Sequence, residues 1–476
     1  MKSKISILIF LILIACSTTA SAELPMNFNN CQVSLGDGLE ELERLKQENN
    51  LNFDTRIVRE VTDRDECIDM ILGTNLEQGA RLENGQLVDL VVGIKKNEVT
   101  ETVKETELDL YMKQLKEKNI ENLNLIDSPV FGNAKVTKLI EGQNLVSYIK
   151  QYNLFGYELF FAEAEGKIYG VKSDNKIDTI LDITNKTIRE RESGLHTFDF
   201  ISLNQKTFLV VTYSGTDSNY YLSSYEITEG GVLGNEAVLA SFPLANDTRV
   251  HFGGKILTKD NEILLCLGDL NSPGNSAKFD SPWGKVLSIK NDNLIESKVT
   301  SLEDPRLSVI AYGLRNPWSC FFHKSNFVIP DVGNSHWEEV NVIENFSLGK
   351  EPVFFGWPWF ESYFDANYKN MPVSEETKDE QISLTQYPKY TYPHASDFCA
   401  IIGGTELENS EKWGNYFFVG DFCTGTIWAI DIEKNSKLSV LEKNLMPYSI
   451  TTINDSGKGT LLVGTTSGEV LEIELP

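Results

Sequence analysis

From about residue 150 onward, short apolar runs alternate with turns rich in Gly, Asn and Asp. One unit recurs: an apolar strand, a short polar turn that ends in Gly, and a second strand in which apolar and polar residues alternate. It occurs at Leu159–Val171, Tyr416–Ile430 and Leu461–Ile473, and in a longer-looped form from Ile263 to Ile289. Each copy predicts a β-hairpin, because Gly adopts turn conformations that other residues resist. Hairpins that recur at such intervals are typical of a β-propeller, and a β-sandwich is the weaker alternative.

We therefore expect residues 150–476 to form an all-β propeller whose last strand, Val470–Ile473, closes the ring against an early strand. The pattern before that range is different. Gly38–Asn49 and Glu101–Asn119 are charge-rich and have helical character, and aromatic residues are few. These features predict a small mixed or helical extension over residues 23–145, to which the pattern assigns no role.

Residues 1–22 have the pattern of an export signal. Two lysines precede the apolar run Ile5–Ile14, which is too short to cross a bilayer as a helix. Ala20-Ser21-Ala22 reads as an ordinary cleavage site, whereas Leu13-Ile14-Ala15-Cys16 resembles a lipobox, and we favour the latter slightly. Cys16 would then carry a lipid anchor, which is the one membrane attachment we expect. The predicted location is the periplasm, the outer membrane as a lipoprotein, or the medium.

The composition is that of a globular protein, with 41% hydrophobic and 24% charged residues. The formal net charge of −26 argues against a nucleic-acid partner, because phosphate would be repelled. It suits a protein that acts on a neutral or cationic small molecule. An equally open interpretation is that the acidity only aids solubility.

Six cysteines follow the signal: Cys31, Cys67, Cys266, Cys320, Cys399 and Cys423. An even count in an oxidising compartment predicts disulfides, with Cys31–Cys67 and Cys399–Cys423 as the first pairs to test. The alternative is buried free thiols. No Cys-x-x-Cys spacing occurs, which argues against a zinc or redox motif.

An ordered series of short motifs extends from residue 249 to residue 421. It comprises Arg249–Lys255, Leu267–Asp269, Trp283–Lys285, Tyr312–Pro317, Pro330–Gly333, Trp337–Asn341, Phe355–Pro358, Ile402–Gly404 and Val419–Asp421. The series resembles the glucose/sorbosone dehydrogenases, and Gly-Leu-Arg-Asn-Pro at 313–317 is its most specific part. The resemblance covers roughly residues 150–476. It implies a six-bladed propeller that oxidises a sugar or alcohol with pyrroloquinoline quinone (PQQ) and calcium.

Three residues of this series have the chemistry that such an oxidation needs. A base must take the hydroxyl proton as hydride leaves carbon, and His251 is the candidate because the pKa of His is nearest working pH. Asp269, 18 residues later in the chain, is predicted to orient the imidazole. Arg315 is predicted to hold a positive charge against a quinone oxygen. A structural role for each is the alternative.

The resemblance also implies contacts to the cofactors. Glu192, Asn316, Lys255 and Lys285 are candidates for the quinone, although each lysine can equally anchor a turn. Backbone carbonyls of Gly333 and Asn334 are candidates for calcium, an ion that prefers oxygen ligands. The acidic pair Glu338 and Glu339 matches one that binds further calcium in some members.

The chain departs from the family pattern in two places. Glu192 stands where sugar-oxidising members carry Gln. Basic side chains that pair with the quinone carboxylates are missing, since Gly404 is followed by Thr405 and Glu406, and 421–428 contains no Arg or Lys. A buried anion without cationic partners is costly. Two alternatives therefore stay open: a cofactor-free propeller that binds a glycan or protein, as hedgehog-interacting proteins do, and an N-terminal domain that tethers the propeller at a surface.

Overall fold

The computed structural model describes residues 22–95 and 134–476, each with gaps. The gaps are residues 25–27, 29–30, 50, 52–53, 63, 68–69, 75, 77–79, 83–86, 229–230, 245–248, 261, 291–293, 295–297, 367, 369–370, 395–397, 409, 434–437 and 443–448. Cys16, nearly all of the predicted signal and the predicted helix at 101–119 lie outside the described residues. Within them, no helix is both long and apolar enough to span a bilayer. The chain divides into two compact units, residues 1–112 and 113–476.

The first unit is a small mixed domain. Its elements are β1 (Ala22–Glu23), α1 (Leu35–Asn49), β2 (Asp54–Thr62), a 3-10 turn (Asp65–Cys67), β3 (Ile71–Thr74), β4 (Arg81–Leu82) and β5 (Leu87–Lys95). Strand β5 pairs in parallel with β2 and antiparallel with β3. Leu42 and Leu45 of α1 belong to the same apolar core as Val88 and Leu90 of β5. The predicted helix at Gly38–Asn49 is confirmed, and it begins three residues earlier.

The second unit contains six sheets of four or five strands, which confirms the six-bladed all-β propeller. Its strands are β6 (Lys135–Ile140), β7 (Val146–Leu154), β8 (Tyr157–Glu163), β9 (Lys167–Lys172), β10 (Ile177–Asp182), β11 (Leu195–Leu203), β12 (Lys206–Ser214), β13 (Asn219–Ile227), β14 (Leu233–Pro243), β15 (Gly253–Lys259), β16 (Glu262–Leu267), β17 (Lys285–Lys290), β18 (Leu307–Tyr312), β19 (Phe321–His323), β20 (Asn326–Asp331), β21 (Trp337–Ile343), β22 (Val353–Phe354), β23 (Phe360–Glu361), β24 (Phe364–Asp365), β25 (Tyr390–Pro393), β26 (Ile401–Glu406), β27 (Tyr416–Asp421), β28 (Ile427–Asp431), β29 (Leu438–Glu442), β30 (Ile450–Asp455), β31 (Leu461–Thr465) and β32 (Val470–Glu474). Two short helices, α2 (Gly274–Ala277) and α3 (Glu375–Leu384), lie in connections.

The blades follow the chain order. Blade 1 is β7–β10, blade 2 is β11–β14, and blade 3 is β15–β18 with β22 added in parallel to β18. Blade 4 is β19–β21 with β25, and blade 5 is β26–β29. Blade 6 joins β30–β32 to β6. The four hairpins that the apolar pattern predicted are β8–β9, β16–β17, β27–β28 and β31–β32, and all are present.

The ring closes as predicted, through the last strand. Strand β32 pairs antiparallel with β6, from Val470 opposite Ile140 to Glu474 opposite Lys135. Because β6 belongs to blade 6, the propeller begins by residue 135 and not at residue 150. The predicted N-terminal region of 23–145 therefore includes one strand of the propeller.

Apolar cores between neighbouring blades hold the ring together. Phe160 of blade 1 packs in one cluster with Phe198 of blade 2, and Leu222 of blade 2 in another with Leu265 of blade 3. Further clusters join blades 3 and 4, 4 and 5, 5 and 6, and 6 and 1. A single blade has two apolar faces that it cannot bury alone, so closure of the ring is what removes them all from water.

All six cysteines after the signal form disulfides. Cys31–Cys67 lies in the first unit and Cys399–Cys423 in blade 5, which confirms the two predicted pairs. Cys266–Cys320 joins the end of β16 in blade 3 to the segment before β19 in blade 4. The alternative of buried free thiols is wrong for these residues.

Candidate active site

The backbone around His251 is held in an unusual conformation. His251 has a φ of +59°, in the left-handed region that costs a non-glycine residue about 1 kcal/mol or more. Gly253 and Gly254 follow with φ of +61° and +119°. A Cβ on Gly253 would lie 2.8 Å from the Cys266 carbonyl oxygen. Gly253 thus permits a close approach between this segment and the backbone of β16.

His251 and Asp269 are in direct contact, as predicted. His251 Nδ1 lies 2.7 Å from Asp269 Oδ1, and both residues are buried. Asp269 follows the end of β16, and its Oδ1 also accepts a hydrogen bond from the Asn271 amide at 2.7 Å. Its second oxygen, Oδ2, accepts from the indole Nε1 of Trp357 at 3.0 Å. Three donors from different segments therefore fix this carboxylate.

Arg315 belongs to the same group. Its carbonyl accepts the Asp269 backbone amide at 2.7 Å, and its guanidinium lies 5.7 Å from the centroid of the Trp357 ring. The guanidinium also donates to the Val332 carbonyl at 3.1 Å and to Asn334 Oδ1 at 3.3 Å. Trp357 therefore touches both the carboxylate and the cation of the predicted site. Sequence reasoning quoted Trp357 only as part of a motif.

Asp331 is a second residue that sequence reasoning did not assign to the site. Its carboxylate accepts the backbone amides of Arg315 at 2.9 Å and of Asn316 at 2.6 Å. Burial raises the pKa of this carboxyl to about 7, against the lowering effect of the two amides. Asp331 thus holds Arg315 and Asn316 in place. Its position in the Pro330–Gly333 motif was the one sequence signal that could have assigned it to the site.

Glu192 and Asn316 bond the backbone of the His251 segment and also line the central cavity. Glu192 Oε2 accepts the backbone amide of His251 at 2.7 Å, not its side chain, and lies 3.5 Å from Asn316 Nδ2. Asn316 Oδ1 accepts the Gly253 amide at 3.1 Å. Burial raises the pKa of Glu192. The carboxylate that replaces a glutamine therefore supports the backbone under His251.

The two candidate lysines have different surroundings. Lys285 donates to the carbonyls of Asn275 and Trp283 at 3.0 and 3.1 Å and is fully buried, so it anchors the connection between β16 and β17. The structure does not support Lys285 as a cofactor contact. Lys255 instead lines the central cavity of the ring.

The predicted calcium residues are engaged in internal contacts. Glu338 Oε1 lies 2.5 Å from His394 Nε2, and its Oε2 accepts the Gly333 amide at 3.2 Å. Glu339 accepts from the Ser362 amide and from Asn341 Nδ2. As neighbours on β21 the two carboxylates enter separate networks, and burial raises both pKa values. Among the described residues no cluster of three or more His, Cys, Asp or Glu could hold a metal ion.

The loop that contains Gly333 and Asn334 is shaped by a carboxylate of the chain itself. Glu361 Oε1 accepts four successive backbone amides, from residues 334 to 337, at 2.8–3.1 Å. The amides of this loop are thereby used, and its backbone carbonyls are the groups left for a cation. Gly333 and Asn334 as calcium ligands stay a prediction.

A cavity of about 280 Å³ lies inside the ring and is lined from all six blades. Glu192 and Asn316 form part of its wall, next to His251 and Arg315, which do not line it. Arg189 and exposed Arg191 also line it, and sequence reasoning missed both. Both arginines lie before blade 2, whereas the family motifs indicate basic residues in the last blades.

Residues 153–472 match the family model described as glucose/sorbosone dehydrogenase. The chain belongs to this family. The match covers about two thirds of the protein and coincides with the propeller. It agrees with the resemblance that the motif series indicated.

The known relatives are distant. A 209-residue segment is 27% identical to the HIPL2 protein of Arabidopsis thaliana, over 41% of this chain and 26% of that protein. The chain thus spans about a quarter of the length of this curated relative.

Solved structures share the fold. The PQQ-bound aldose sugar dehydrogenase of Streptomyces coelicolor matches 73% of this chain and all of its own, at 17% identity and a TM-score of 0.57. The apo-form aldose sugar dehydrogenase of Escherichia coli matches 72% of this chain and all of its own, at 15% identity and a TM-score of 0.56. The holo PQQ domain of pyranose dehydrogenase from Coprinopsis cinerea covers 74% and 98%, at 14% identity and a TM-score of 0.52. At these identities the likeness shows the fold alone.

Proposed function

We propose that this member of the glucose/sorbosone dehydrogenase family is an exported quinoprotein that oxidises a CH–OH group of a sugar or alcohol with PQQ. The observation that carries the proposal is the 2.7 Å contact between His251 Nδ1 and Asp269 Oδ1. The Arg315 guanidinium lies over the ring of Trp357, whose indole donates to the same Asp269 carboxylate. Family membership alone would not assign the activity, because one fold hosts many functions.

His251 has the arrangement of a general base. A carboxylate can only accept a hydrogen bond, so the proton on the ring belongs on Nδ1, facing Asp269. Nε2 then presents a lone pair that can take the hydroxyl proton of the substrate. Asp269 would also stabilise the imidazolium that forms, and general-base assistance of this kind is worth roughly 10²–10⁴-fold in rate.

Arg315 supplies the fixed positive charge of the site. Its position over Trp357 and its hydrogen bonds to Val332 and Asn334 hold the guanidinium, and no carboxylate among the described residues forms a salt bridge with it. Its charge is therefore available to an oxygen that becomes negative during the reaction. The bound quinone would supply the acceptor for the hydride that leaves the substrate carbon.

The charges near the cavity mouth fit an anionic quinone. Arg189 and Arg191 line the cavity beside Glu192, and Arg315 lies next to its wall. PQQ carries three carboxylates that need cationic partners. These guanidinium groups could pair with them in place of the basic residues that the last blades lack. Arg191, Arg315 and Asn316 are the residues we expect to hold it.

The proposal for calcium is confined to the loop that contains Gly333 and Asn334. The carboxylates of Glu338 and Glu339 are directed into separate buried networks, so a shared ion between them does not fit. The backbone carbonyls of Gly333 and Asn334 are the remaining candidates.

Reconstitution tests the proposal. The exported chain is titrated with PQQ, with and without calcium, and dye reduction is measured with a panel of aldoses and alcohols. We expect turnover that His251→Asn reduces by roughly 10²–10⁴-fold. His336→Asn is the matched control, because His336 is exposed and its Nδ1 lies no nearer than 3.8 Å to the Glu361 carboxylate.

The alternative function predicts a different outcome. Residues 421–428, which span the end of β27, a turn and the start of β28, contain no Arg or Lys, and this favours a propeller that binds a glycan or protein partner without a cofactor. Absence of turnover with every substrate, together with no quinone binding by calorimetry, would remove the enzyme proposal in favour of this one.

A further inference from the structure

A buried ammonium group lies inside the axial cavity. Lys255 is 7% exposed, and its Nζ lies 3.4 Å from Asn454 Oδ1 and 5.0 Å from the centroid of the Tyr148 ring. Among the described residues no carboxylate forms a salt bridge with it. The Asp199 carboxylate nearby is paired with Lys150 at 2.5 Å. A buried charge with one long hydrogen bond and one aromatic ring is poorly compensated.

The polar neighbours of Lys255 do not line the cavity and lie farther along their strands than the residues that do. Lys150, Asp199 and Asn454 are each the fifth residue of the innermost strand of their blade, β7, β11 and β30. At about 3.3 Å per residue they lie about 13 Å from the start of those strands. Strand β11 begins three residues after Glu192, and β15 two residues after His251. The ammonium is therefore well below the mouth of the cavity.

The surroundings of the two ends are electrostatically separate. The charges that act on Glu192 are His251 and Arg315. Those that act on Lys255 are Lys150 and Asp199, and burial with the neighbouring Lys150 lowers the pKa of Lys255 to about 7. Glu192 and Lys255, which line the same cavity, thus have different charged neighbours.

Two further polar groups in the cavity wall have no partner. Thr197 Oγ1 and Ser319 Oγ are buried and make no hydrogen bond within the described part of the chain, and both residues are 2% exposed and line the cavity. Buried hydroxyl groups are normally satisfied, so unpartnered ones beside a cavity indicate a ligand. Much of the remaining wall is apolar: Phe252, Trp318, Ile402, Phe422 and Ile450.

We propose that the inner part of this cavity binds a small organic monocarboxylate, whose carboxylate accepts a hydrogen bond from Lys255. Thr197 and Ser319 supply further donors from the wall. A single amine whose charged form a bound anion stabilises matches one negative charge, and the apolar wall matches an organic body better than a hydrated inorganic ion. The site requires no quinone and is independent of the proposed oxidation.

Binding is measured on the quinone-free protein with acetate, butyrate and benzoate, by calorimetry and by the fluorescence of the cavity tryptophan. We expect saturable binding that Lys255→Met weakens by roughly tenfold to a hundredfold, because a hydrogen bond to a charged group is lost. Lys259→Met is the matched control on the same strand, since Lys259 lies over the Phe322 ring and does not line the cavity. Its affinity should equal that of the wild type.

The substitution of Lys255 should preserve the fold, because Met replaces a poorly compensated buried charge with an apolar chain of similar length. A thermal melt checks that the Lys255 variant is folded. If it is not folded, Ser319→Ala and Thr197→Val test the site, and each should weaken carboxylate binding severalfold. Absence of saturation, unchanged affinity in the Lys255 variant, or tighter binding of chloride or phosphate than of any carboxylate overturns the proposal. Failure of turnover leaves it untouched, since no assay here uses the quinone.

Discussion

At the scale of single residues, the candidate site depends on how Asp269 is held. One of its oxygens faces His251 and the Asn271 amide, and the other faces Trp357. The carboxylate therefore sets the orientation of the imidazole and is itself oriented by the indole. In the proposed mechanism Asp269 and Trp357 are therefore positioning residues, and His251 is the group that would contact substrate.

Replacing Asp269 tests this assignment. In reconstituted protein we expect Asp269→Asn to lower kcat by roughly 10²–10⁴-fold with little change in KM, because the amide can present an N–H to Nδ1 and favour the wrong tautomer. Trp357→Phe, which removes one of three donors, should lower kcat less. Steady-state kinetics measure both, and an equal loss in kcat and rise in KM for Asp269→Asn would contradict a positioning role.

A second histidine should affect stability. His196 stacks against Tyr220 at 5.3 Å and bonds Ser214 at 2.9 Å, and burial lowers its pKa to about 3. Below about pH 6.5 the His196 imidazole is protonated in the unfolded chain but stays neutral in the folded chain. The free energy of unfolding therefore falls as the pH drops below that value. This one group should cost about 2 kcal/mol between about pH 7 and about pH 5.

Thermal or urea unfolding of His196→Gln at the two pH values measures that cost. We expect the variant to lose less stability than the wild type on acidification, while His336→Gln at an exposed site behaves as the wild type does. If the pH dependence of His196→Gln matches that of the wild type, His196 is not the group responsible.

At the scale of elements, the connections at one end of blade 3 bring the site together. His251 precedes β15, Asp269 follows β16 and Arg315 follows β18, so blade 3 supplies all three. Asp331 at the end of β20 and Trp357 after β22 then reach across from the next segments of the chain. The Cys266–Cys320 disulfide joins blades 3 and 4 beside this region.

Removal of this disulfide should destabilise the propeller. It closes 54 residues, for which chain entropy predicts about 4 kcal/mol, whereas Cys399–Cys423 closes 24 residues within one blade and predicts about 3 kcal/mol. We expect paired Cys→Ala substitution at 266 and 320 to lower Tm more than the same change at 399 and 423. Calorimetry measures both, and reduced wild-type protein is the control. The reverse order of the two losses would show that loop length does not dominate.

At the scale of the whole molecule, stability rests on closure of the ring by β6 and β32. The first unit, within residues 1–112, has its own core and its own disulfide. Deletion of residues 23–145, the whole of the predicted N-terminal extension, would remove β6 and expose the edge of β32. A test of a tethering role for the N-terminal unit must therefore stop before residue 135.

Two truncated chains check this. A chain that starts at residue 113 keeps β6 and should unfold cooperatively, with a Tm within a few degrees of that of the full chain. A chain that starts at residue 142 lacks β6 and should lose cooperative unfolding or aggregate through the unpaired edge. Circular dichroism and size-exclusion chromatography measure both, and a well-folded shorter chain would show that closure is dispensable.

The sequence by itself determined the repeated hairpins, the closing strand, the first helix and the pairing of His251 with Asp269. These follow from local signals: alternation of apolar residues, glycine at turns, and motifs whose spacing one hairpin spans. It also identified two of the three disulfides.

Only the tertiary structure decided which residues from distant segments meet. The third disulfide, the indole between Asp269 and Arg315, the arginines beside the cavity and the true start of the propeller all depend on how blades pack side by side. The different surroundings of Lys255 and Lys285 have the same origin, since one amine enters the cavity and the other meets two carbonyls. Linear spacing does not encode such contacts, because they arise from closure of the ring.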